Sequence, residues 1–483
     1  MHYGLISKIL GLLLVIFSFA LMPPVLISYL YQEGSETPFL ISFVITLLLG
    51  LTLWLPFFRH KAELHPRDGF LVVTLYWTVL GIIGGLPFLL SPDLNVGITD
   101  AVFESISGFT TTGASVLSGL DYLPKSLLFW RALTNWLGGM GVIVLALAVL
   151  PMLGIGGMQL YKAEIPGPSK DTKLTPRIAE TAKALWYIYV ALTVACATAF
   201  HWAGMSWFDA VCHSFSALAT GGFSTHDASI GYFHSGAINI IAAIFIWLGA
   251  TNFSLFFVAW KDRSLRALWL DPELRFFLGL QVVYSAIVFT SLQAHNVFAT
   301  RWEDLHHTLL QVASLSTGTG FVSTSISDWP NFVPFMLILS SFIGGCAGST
   351  AGGIKVVRAA LIFQHSHREL RRLIFPNGLF VLRFGRRKVD DRVLQAVWGF
   401  VGVYIGISLL SIIAVNATGV DFVTSVSAVA ATINNLGAGL GGVSSSFGGL
   451  PEVAKWILCL DMLLGRLEVF TILVLFTPLF WRQ

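Results

Sequence analysis

FTTTGAS, residues 109–115, places three adjacent threonines and a glycine in a chain that is otherwise strongly apolar. Of the 483 residues, 55% are hydrophobic and only 11% are charged, whereas about a quarter of the residues of a soluble domain are charged. This composition predicts an all-α polytopic membrane protein. At membrane depth, non-helical backbone is tolerated only where it is buried in protein or lines a path for water or ions. The stretch therefore points to a polar path through the protein.

Ten segments have about the 20 apolar residues that a membrane-spanning helix needs. They are 9–30, 39–58, 70–91, 126–153, 184–204, 236–260, 275–294, 331–363, 394–417 and 453–480. The first segment is too long for a signal peptide and lacks a cleavage site, so we expect it to be retained.

The distribution of Lys and Arg predicts that both termini are cytoplasmic. With an inside N-terminus, 24 of the 29 Lys and Arg residues fall on the inner side or at its edge, as the positive-inside rule requires. The net charge of +3 is too small to suggest a nucleic-acid partner, so the lipid bilayer is the expected environment.

Four long outer loops repeat one sequence element. From first to fourth, the copies read ITDAVFESISGFTTTGAS, WFDAVCHSFSALATGGFS, HHTLLQVASLSTGTGFVS and TSVSAVAATINNLGAGLG. Each copy starts with a short run of small residues that cannot span the membrane and ends in a polar or glycine cluster, the pattern of a re-entrant segment. One glycine recurs as Gly113, Gly222, Gly320 and Gly437, at spacings of 109, 98 and 117 residues.

An acidic residue near the start of each copy predicts a short helix there, because acids stabilise helix N-termini. These residues are Asp100, Asp209, Asp304 and Asp421. Four such units around one axis predict a pore, with the negative end of each short helix facing its centre. Carbonyl and threonine oxygens with few charges favour a monovalent cation. For one copy alone, packing of small residues between helices explains the pattern equally well, but four copies in phase favour the pore.

The chain therefore divides into two leading helices and four helix–pore loop–helix units with pseudo-fourfold symmetry, similar to a K⁺ channel. The predicted boundaries are 1–68 for the leading helices, then 69–182, 183–273, 274–392 and 393–483 for the four units. The third unit is predicted to have a broken second helix.

The four copies resemble the degenerate filters of the Trk/Ktr/HKT superfamily of potassium transporters. The matching stretches are TTGA (111–114), TGGF (220–223), GTGF (318–321) and NLGA (435–438). GGFSTHDASIGYF (221–233), FIGGCAGSTAGGIK (342–355), INNLG (433–437) and LGRLEVFT (464–471) narrow the resemblance to the TrkH-like membrane subunit. It covers the whole chain.

The resemblance implies potassium uptake across the prokaryotic inner (cytoplasmic) membrane and no enzymatic activity. K⁺ would be the transported ion and the only metal bound. The implied filter residues are Thr111, Thr112, Gly113, Thr220, Gly221, Gly222, Gly318, Thr319, Gly320, Asn435, Leu436 and Gly437. The resemblance also implies a homodimer and a cytosolic ring of regulatory subunits that bind a nucleotide of the NAD or ATP type.

No nucleotide site is expected on this chain itself. The glycine cluster GIGGM (154–158) follows a membrane helix, and no βαβ unit surrounds it, so it is not a dinucleotide fingerprint. The basic stretches 162–183 and 355–393 are candidate contacts for the cytosolic ring, although the ordinary positive-inside bias explains most of their charges.

A second glycine cluster interrupts the eighth predicted span, within SFIGGCAGSTAGGIKVVR (341–358). This density of glycine should break a helix in mid-membrane. By resemblance, the segment is an intramembrane gating loop that obstructs the pore below the filter. The implied gate residues are Gly344, Gly345, Gly348, Ser349, Thr350, Gly352, Gly353 and Arg466. A kinked packing helix is the structural alternative.

Arg466 lies within the last predicted span, where an arginine costs several kcal/mol unless it has a partner. The candidate partners are Glu468, Asp461 and carbonyls of the broken loop. A structural salt bridge would explain Arg466 as well; by resemblance, it is an electrostatic barrier or latch in the pore. Arg131, near the outer end of its span, is interpreted as structural, with its side chain snorkelling to the surface.

Two other function classes compete with a gated pore. A proton- or sodium-coupled potassium symporter would need an ionisable group beside the ion site, and Glu104 is the nearest candidate. An intramembrane enzyme would need a nucleophile with a base, or a metal pair, on facing spans. The sequence supplies neither pattern.

Overall fold

The computed structural model describes residues 2–59, 65–148, 174–385 and 387–481, and these ranges are almost entirely helical. The α-helices are α1 (Tyr3–Ser18), α2 (Met22–Tyr31), α3 (Glu36–Trp54), α4 (Pro66–Ile83), α5 (Leu86–Leu90), α6 (Ile98–Phe109), α7 (Lys125–Ala148), α8 (Leu174–Trp202), α9 (Trp207–Leu218), α10 (Gly236–Gly249), α11 (Phe253–Lys261), α12 (Arg266–Leu270), α13 (Pro272–Ala294), α14 (Arg301–Thr317), α15 (Phe332–Ser341), α16 (Val356–Ile374), α17 (Asp391–Ala417), α18 (Phe422–Ile433), α19 (Glu452–Arg466), α20 (Phe470–Leu473) and α21 (Pro478–Trp481). A two-residue antiparallel ladder, β1 (Arg383–Phe384) with β2 (Arg387–Lys388), pairs Arg383 with Lys388.

Within the described ranges, six helical runs are long and apolar enough to cross a membrane, and the bent pair α10–α11 makes a seventh. The six runs are Tyr3–Tyr31, Glu36–Phe57, Arg67–Leu90, Thr181–Trp202, Pro272–Ala294 and Asp391–Ala417. The prediction of an all-α polytopic membrane protein is confirmed.

The other three predicted spans differ from single apolar helices. Segment 126–153 corresponds to α7, but its last five residues lie outside the described residues, as does the GIGGM cluster. Segment 331–363 is divided between α15 and α16. Segment 453–480 is divided after α19, where Glu468 has a φ of 52°.

The predicted span over 236–260 is not one straight helix, because α10 and α11 meet at an angle of 86°. Backbone groups from the loop between α15 and α16 bond inside this break: the Cys346 amide donates to the Ala250 carbonyl (2.9 Å), and the Phe253 amide donates to the Gly348 carbonyl (3.2 Å). Asn252 caps α11 by accepting from the Ser254 amide at 2.9 Å. These bonds satisfy the backbone groups that the break exposes.

The leading helices α1 and α3 pack together at their glycines. A Cβ on Gly11 would lie 2.6 Å from the Trp54 nitrogen, and one on Gly50 would lie 2.8 Å from the Val15 nitrogen. Small residues that allow this approach are typical of helix pairs in membranes. Helix α2 then packs on α7, which attaches the leading pair to the first unit.

Four short helices, α6, α9, α14 and α18, form the centre of the fold. Each packs on the helix before it and on the helix after it in the chain. Each also packs on the second helix of the preceding unit: α6 on α19, α9 on α7, α14 on α10 and α18 on α15. Because the first unit contacts the fourth in the same way, the four units close into a ring.

Candidate functional site

Each short helix ends in the same Schellman turn, in which two amides bond back to the last helical turn. The first bond joins Thr111 to Gly108, Thr220 to Ala217, Gly318 to Leu315 and Asn435 to Thr432. The second joins Thr112 to Ser107, Gly221 to Ser216, Thr319 to Ser314 and Leu436 to Ala431, at 2.7 to 2.8 Å. Four sequences with little identity thus adopt one backbone conformation.

The turns place non-glycine residues in the left-handed region. Thr111, Thr220 and Asn435 have φ values of 52°, 51° and 52°, and Gly318 takes the same position with 78°. A β-branched residue is strained in this region, at a cost on the order of 1–3 kcal/mol. Such strain persists only where the surroundings fix the backbone, and it is concentrated at functional sites.

The recurring glycines follow two residues later and join the turns into a closed ring. A Cβ on Gly113 would lie 2.1 Å from the Gly221 carbonyl oxygen. The equivalent distances are 2.1 Å from Gly222 to Thr319, 2.1 Å from Gly320 to Leu436 and 2.3 Å from Gly437 to Thr112. No side chain fits at these four positions. The glycine ring (residues 111–113, 220–222, 318–320 and 435–437) is therefore a closed circle of backbone.

Along each turn of the glycine ring, two residues with positive φ flank one residue whose φ is not positive. The recurring glycines have φ values of 70° to 89°, and so have the same sign as the residues two before them. In a regular strand successive carbonyls point to opposite sides, whereas alternating handedness lets neighbouring carbonyls face one side. The backbone can thus present several carbonyl oxygens to a single path.

Three of the four threonine hydroxyls of the ring bond to its wall, whereas Thr111 Oγ1 is buried and has no hydrogen-bond partner in the described part of the chain. Thr112 Oγ1 lies 2.7 Å from Thr110 Oγ1 and accepts from Asn435 Nδ2 at 2.9 Å. Thr319 Oγ1 lies 2.8 Å from Thr317 Oγ1. Thr220 Oγ1 donates to the Ala219 carbonyl at 2.7 Å. These three hydroxyls stiffen the wall, so the oxygens left available to an ion are the backbone carbonyls and Thr111 Oγ1.

A cavity of about 410 Å³ opens on one side of the glycine ring. All four recurring glycines line it, together with the residues that follow them and the side chains of Arg131, His226 and Asp227. Asp227 also accepts from the Gly119 and Leu120 amides at 3.1 and 3.0 Å, which ties the cavity wall in the second unit to the first.

Arg131 is fully buried beside this cavity, so the prediction of a snorkelling side chain is wrong. Its Nε donates to Glu104 Oε1 at 2.7 Å, and its Nη1 donates to the Ser224 carbonyl at 2.9 Å. Glu104 also accepts from the Val116 amide at 2.9 Å. The Arg131–Glu104 pair therefore joins α6 and α7 to the segments that follow the recurring glycine in the first and second units.

A charged cluster lies at the outer edge of the same cavity. His226 contacts Asp121 through Nδ1, and its Nε2 lies 3.5 Å from Asp209. Burial lowers the pKa of His226, but the bonds to the two carboxylates outweigh burial, so the net shift is upward. Burial alone would raise the pKa of Asp209, but hydrogen bonds from His226, Ser206 and Thr225 hold it well below its usual range. The two carboxylates thus favour the charged form of His226.

The α15–α16 loop, residues 342–355, lies on the opposite side of the ring. Thr350 Oγ1 is 2.9 Å from the Leu218 carbonyl and 3.3 Å from Thr220 Oγ1. A Cβ on Gly352 would lie 2.1 Å from the Asn434 carbonyl. The loop therefore contacts the helix ends that precede the glycines, whereas the cavity is lined by the glycines and the residues after them.

The glycines of the loop allow it to fold back on itself. A Cβ on Gly344, which has a φ of 71°, would lie 2.1 Å from the Gly352 carbonyl. Gly348 and Gly353 also have positive φ, at 72° and 76°. The Ser349 hydroxyl donates to the Cys346 carbonyl at 2.6 Å. Gly345 packs against Ala351 and Ala250, so all seven predicted loop residues lie in one compact turn.

Arg466 joins this loop to two other units. Its Nη1 donates to the Thr350 carbonyl at 2.6 Å, and its Nη2 donates to the Gly138 carbonyl at 3.3 Å. The other candidate partners are engaged elsewhere: Glu468 pairs with Arg358 at 2.7 Å, and Asp461 accepts from Ser411 at 2.6 Å. Of the three candidate partners that the sequence left open, Arg466 contacts the carbonyl of the loop.

Sequence reasoning missed two further contacts of the loop. Glu273 Oε1 accepts from the Ala347 amide at 2.7 Å, and Lys355 Nζ donates to the Ala351 carbonyl. Lys355 has a φ of 81°, which is unusual for a lysine. Glu273 lies in the first turn of α13, where acidic residues commonly stabilise the helix. Its sequence position therefore did not indicate a contact with the loop.

A sequence model of one family, TrkH, described as a cation transport protein, matches residues 35–482. The chain belongs to the TrkH family. The Trk system potassium uptake protein TrkH of Salmonella typhimurium is 52% identical to it over the full length of both chains. TrkG of Escherichia coli is 40% identical over 100% of this chain and 99% of its own. The crystal structure of the potassium transporter TrkH from Vibrio parahaemolyticus superimposes with a TM-score of 0.94 at 49% identity, covering both chains completely. This family consists of transport proteins rather than enzymes.

Proposed function

We propose that this chain takes up potassium through a gated pore whose selectivity filter is the glycine ring. The observation that carries the proposal is the closed circle of contacts between Gly113, Gly222, Gly320, Gly437 and the carbonyls of the neighbouring copies. Rings of backbone carbonyls replace the hydration shell of an ion in potassium filters. The names of full-length relatives at about half identity support the same ion.

The electrostatics of the ring favour a monovalent cation. Its twelve residues include no ionisable side chain, so only dipoles act on the ion. The four short helices end at the ring, and each contributes the negative end of its dipole. A divalent cation would need carboxylates to offset its dehydration, and the ring has none.

The α15–α16 loop would be the gate, with Arg466 as its latch. The loop contacts the helix ends of the second and fourth units at Leu218 and Asn434. The guanidinium holds the Thr350 carbonyl and adds positive charge close to the ion path. In this closed arrangement the charge would repel potassium while the bond keeps the loop in place.

For the oligomeric state, the membrane orientation and the cytosolic partner, we propose what the sequence and its family resemblance imply. We propose a homodimer in the inner membrane, with both termini in the cytoplasm, and the unit boundaries given above. A cytosolic ring of nucleotide-binding subunits would dock on the basic inner face. Of its predicted contact stretches, 355–393 is described in large part, whereas 162–173 lies outside the described residues.

The observations favour a channel-like pore over a coupled symporter. Glu104, the candidate coupling group, is bound to Arg131, Ser115 and the Val116 amide. Both of its carboxylate oxygens are thus engaged by donors of the protein, which favours a structural role over a coupling role.

The test is to place the purified chain in a planar bilayer between potassium and sodium gradients, with and without the cytosolic partner. We expect single-channel currents with a reversal potential near that of potassium, changed by partner and nucleotide. Flux of potassium in fixed stoichiometry with protons or sodium, without channel currents, would overturn the proposal.

A further inference from the structure

A second cavity, of about 270 Å³, lies between α16 and the segment that leads into β1. Its lining residues include one histidine and three arginines and no acidic residue: His367, Arg368, Arg371 and Arg383. We name it the basic cavity. Because its charges converge from two elements, they form a concave site and not merely a charged helix face.

The carboxylates near the basic cavity neutralise only part of its charge. Arg368 donates to Glu369 at 3.2 Å and to Asp391 at 3.1 Å. Arg371 and Arg383 are exposed and have no carboxylate within 4.0 Å in the described part of the chain. Two arginines are thus free to bind an anion, and arginine matches phosphate oxygens through two parallel N–H groups.

The basic cavity lies at the level of the membrane surface. Arg368 bonds to Asp391, the first residue of the spanning helix α17. About two turns into that helix, Trp398 is 45% exposed, and its ring lies 6.1 Å from the ring of His365. Exposed tryptophans mark the boundary between hydrocarbon and headgroups, so the cavity is at headgroup depth.

Exposed apolar side chains accompany the arginines of the basic cavity. Leu379, which lines it, is 98% exposed. Phe375, one turn after Arg371 and bonded to its carbonyl through the backbone, is 62% exposed. The combination of arginines with large exposed hydrophobics is typical of segments that lie in an anionic membrane surface.

We propose that the basic cavity binds the phosphate of an anionic membrane lipid, with Arg371 and Arg383 as its ligands and the acyl chains beside Leu379 and Phe375. The inference rests on the membrane orientation proposed above but is independent of ion conduction. A soluble phosphate would satisfy the arginines equally but would leave the apolar rim exposed, which is why the lipid is favoured.

The test is native mass spectrometry of the full chain in neutral detergent, titrated with phosphatidylglycerol or with phosphatidylcholine of the same acyl length. We expect retention of phosphatidylglycerol but not of phosphatidylcholine. Each arginine near a membrane surface contributes about 1 kcal/mol, so Arg371→Gln with Arg383→Gln should weaken retention roughly 25-fold. Arg372→Gln is the matched control, because Arg372 lies on the same helix but outside the cavity and pairs with Glu369. It should leave retention close to that of the parent chain.

Four results would overturn the inference. The first is equal retention of the two lipids by the parent chain. The second is equal loss of phosphatidylglycerol in the control and in the double variant, which would indicate a diffuse surface charge. The third is binding of inorganic phosphate as tight as that of the lipid, which would assign the site to a soluble anion. If the double variant instead loses only the cytosolic partner while lipid retention is unchanged, the site is a protein contact and the lipid proposal is wrong. Monodisperse elution of all variants controls for folding.

Discussion

The glycine ring and the α15–α16 loop both depend on glycine, but their contacts have opposite symmetry. In the ring, one turn and one glycine contact occur four times, and each copy supports the next. The loop occurs once and is held by single contacts from different units, including Glu273, Leu218, Gly249 and Arg466. A closed ring cannot move one copy without disturbing its neighbours, whereas a loop held by separable bonds can have two arrangements. If the ring is the filter and the loop is the gate, as we propose, selectivity and gating should be separable.

Loss of the buried pair behind the ring should have the largest effect. We expect Arg131→Met to reduce stability by about 3–5 kcal/mol, because it leaves the Glu104 carboxylate buried without its cation. Selectivity should fall at the same time, since Arg131 also holds the Ser224 carbonyl just beyond the second glycine. Denaturation in graded detergent and reversal potentials measure the two effects.

The double variant Arg131→Met with Glu104→Gln is the control for this prediction. The amide of glutamine can still accept from the Val116 amide, and no buried charge remains. Stability should therefore recover in part, while selectivity stays low. If the double variant is as unstable as the single one, the pair does not support the ring through its charges.

Gly113→Ser should damage the ring itself. The added Cβ would meet the Gly221 carbonyl at 2.1 Å, in a backbone with a φ of 80°. The strain and the overpacking each cost about 1–3 kcal/mol, so we expect the potassium-over-sodium permeability ratio to fall roughly tenfold or more. Reversal potentials under mixed gradients measure this ratio.

Gly119→Ser separates the contact from the backbone conformation. Gly119 has a φ of 73°, but a Cβ there would meet no atom within 4 Å. This variant should carry similar strain without disturbing the neighbouring copy, and its selectivity should stay near that of the parent. Equal loss of selectivity in both variants, or an unchanged ratio in Gly113→Ser, would show that the ring contact is not the filter.

Arg466→Ala should affect gating and leave selectivity unchanged. A hydrogen bond from a charged donor contributes about 1.5–3 kcal/mol, so its loss should raise potassium conductance without the partner about tenfold or more. Deletion of several residues within 344–353 should act in the same direction. Arg466→Lys keeps the charge but loses the two-pronged bond, so it should conduct between the parent and the alanine variant. Variants that insert normally but conduct no more than the parent would make the loop structural.

The sequence predicted much of the glycine ring because the same sequence element occurs four times in the chain. The glycine spacing and the acids before it predicted four short helices with equivalent turns. It did not predict that threonine and asparagine take the left-handed position, since local propensity favours glycine there. The tight turns depend on neighbouring copies that no single segment contains.

The sequence was less informative about single contacts between distant segments. The break at Ala250 depends on backbone groups of Cys346 and Gly348, about 100 residues later in the chain. Arg131 and Glu104 are 27 residues apart and are brought together only by the packing of α6 on α7. A lone arginine near a span end has the same pattern whether it snorkels or pairs, so burial could not be predicted.

The smallest effect is expected at the cluster of His226, Asp121 and Asp209 at the edge of the cavity. A dependence of its stability on pH would distinguish this wall of the cavity from the α15–α16 loop. The raised pKa of His226 in the folded state means that its charged form is stabilised. This stability is fully present below about pH 6.5, the unfolded pKa, and is lost as pH rises through the higher folded value. The lowered pKa of Asp209 acts only in acid, because its contribution is present above about pH 3.8. Raising the pH from 6 to 9 should therefore cost at most about 1 kcal/mol of stability, since the pair is partly exposed.

Denaturation in graded detergent at both pH values measures this change in stability, and His226→Gln should abolish it. His234→Gln, at an exposed histidine of the same segment with no carboxylate contact among the described residues, should leave it intact. If the loss of stability between pH 6 and pH 9 persists in His226→Gln, another group is responsible, and the cluster around His226 has no pH dependence of its own.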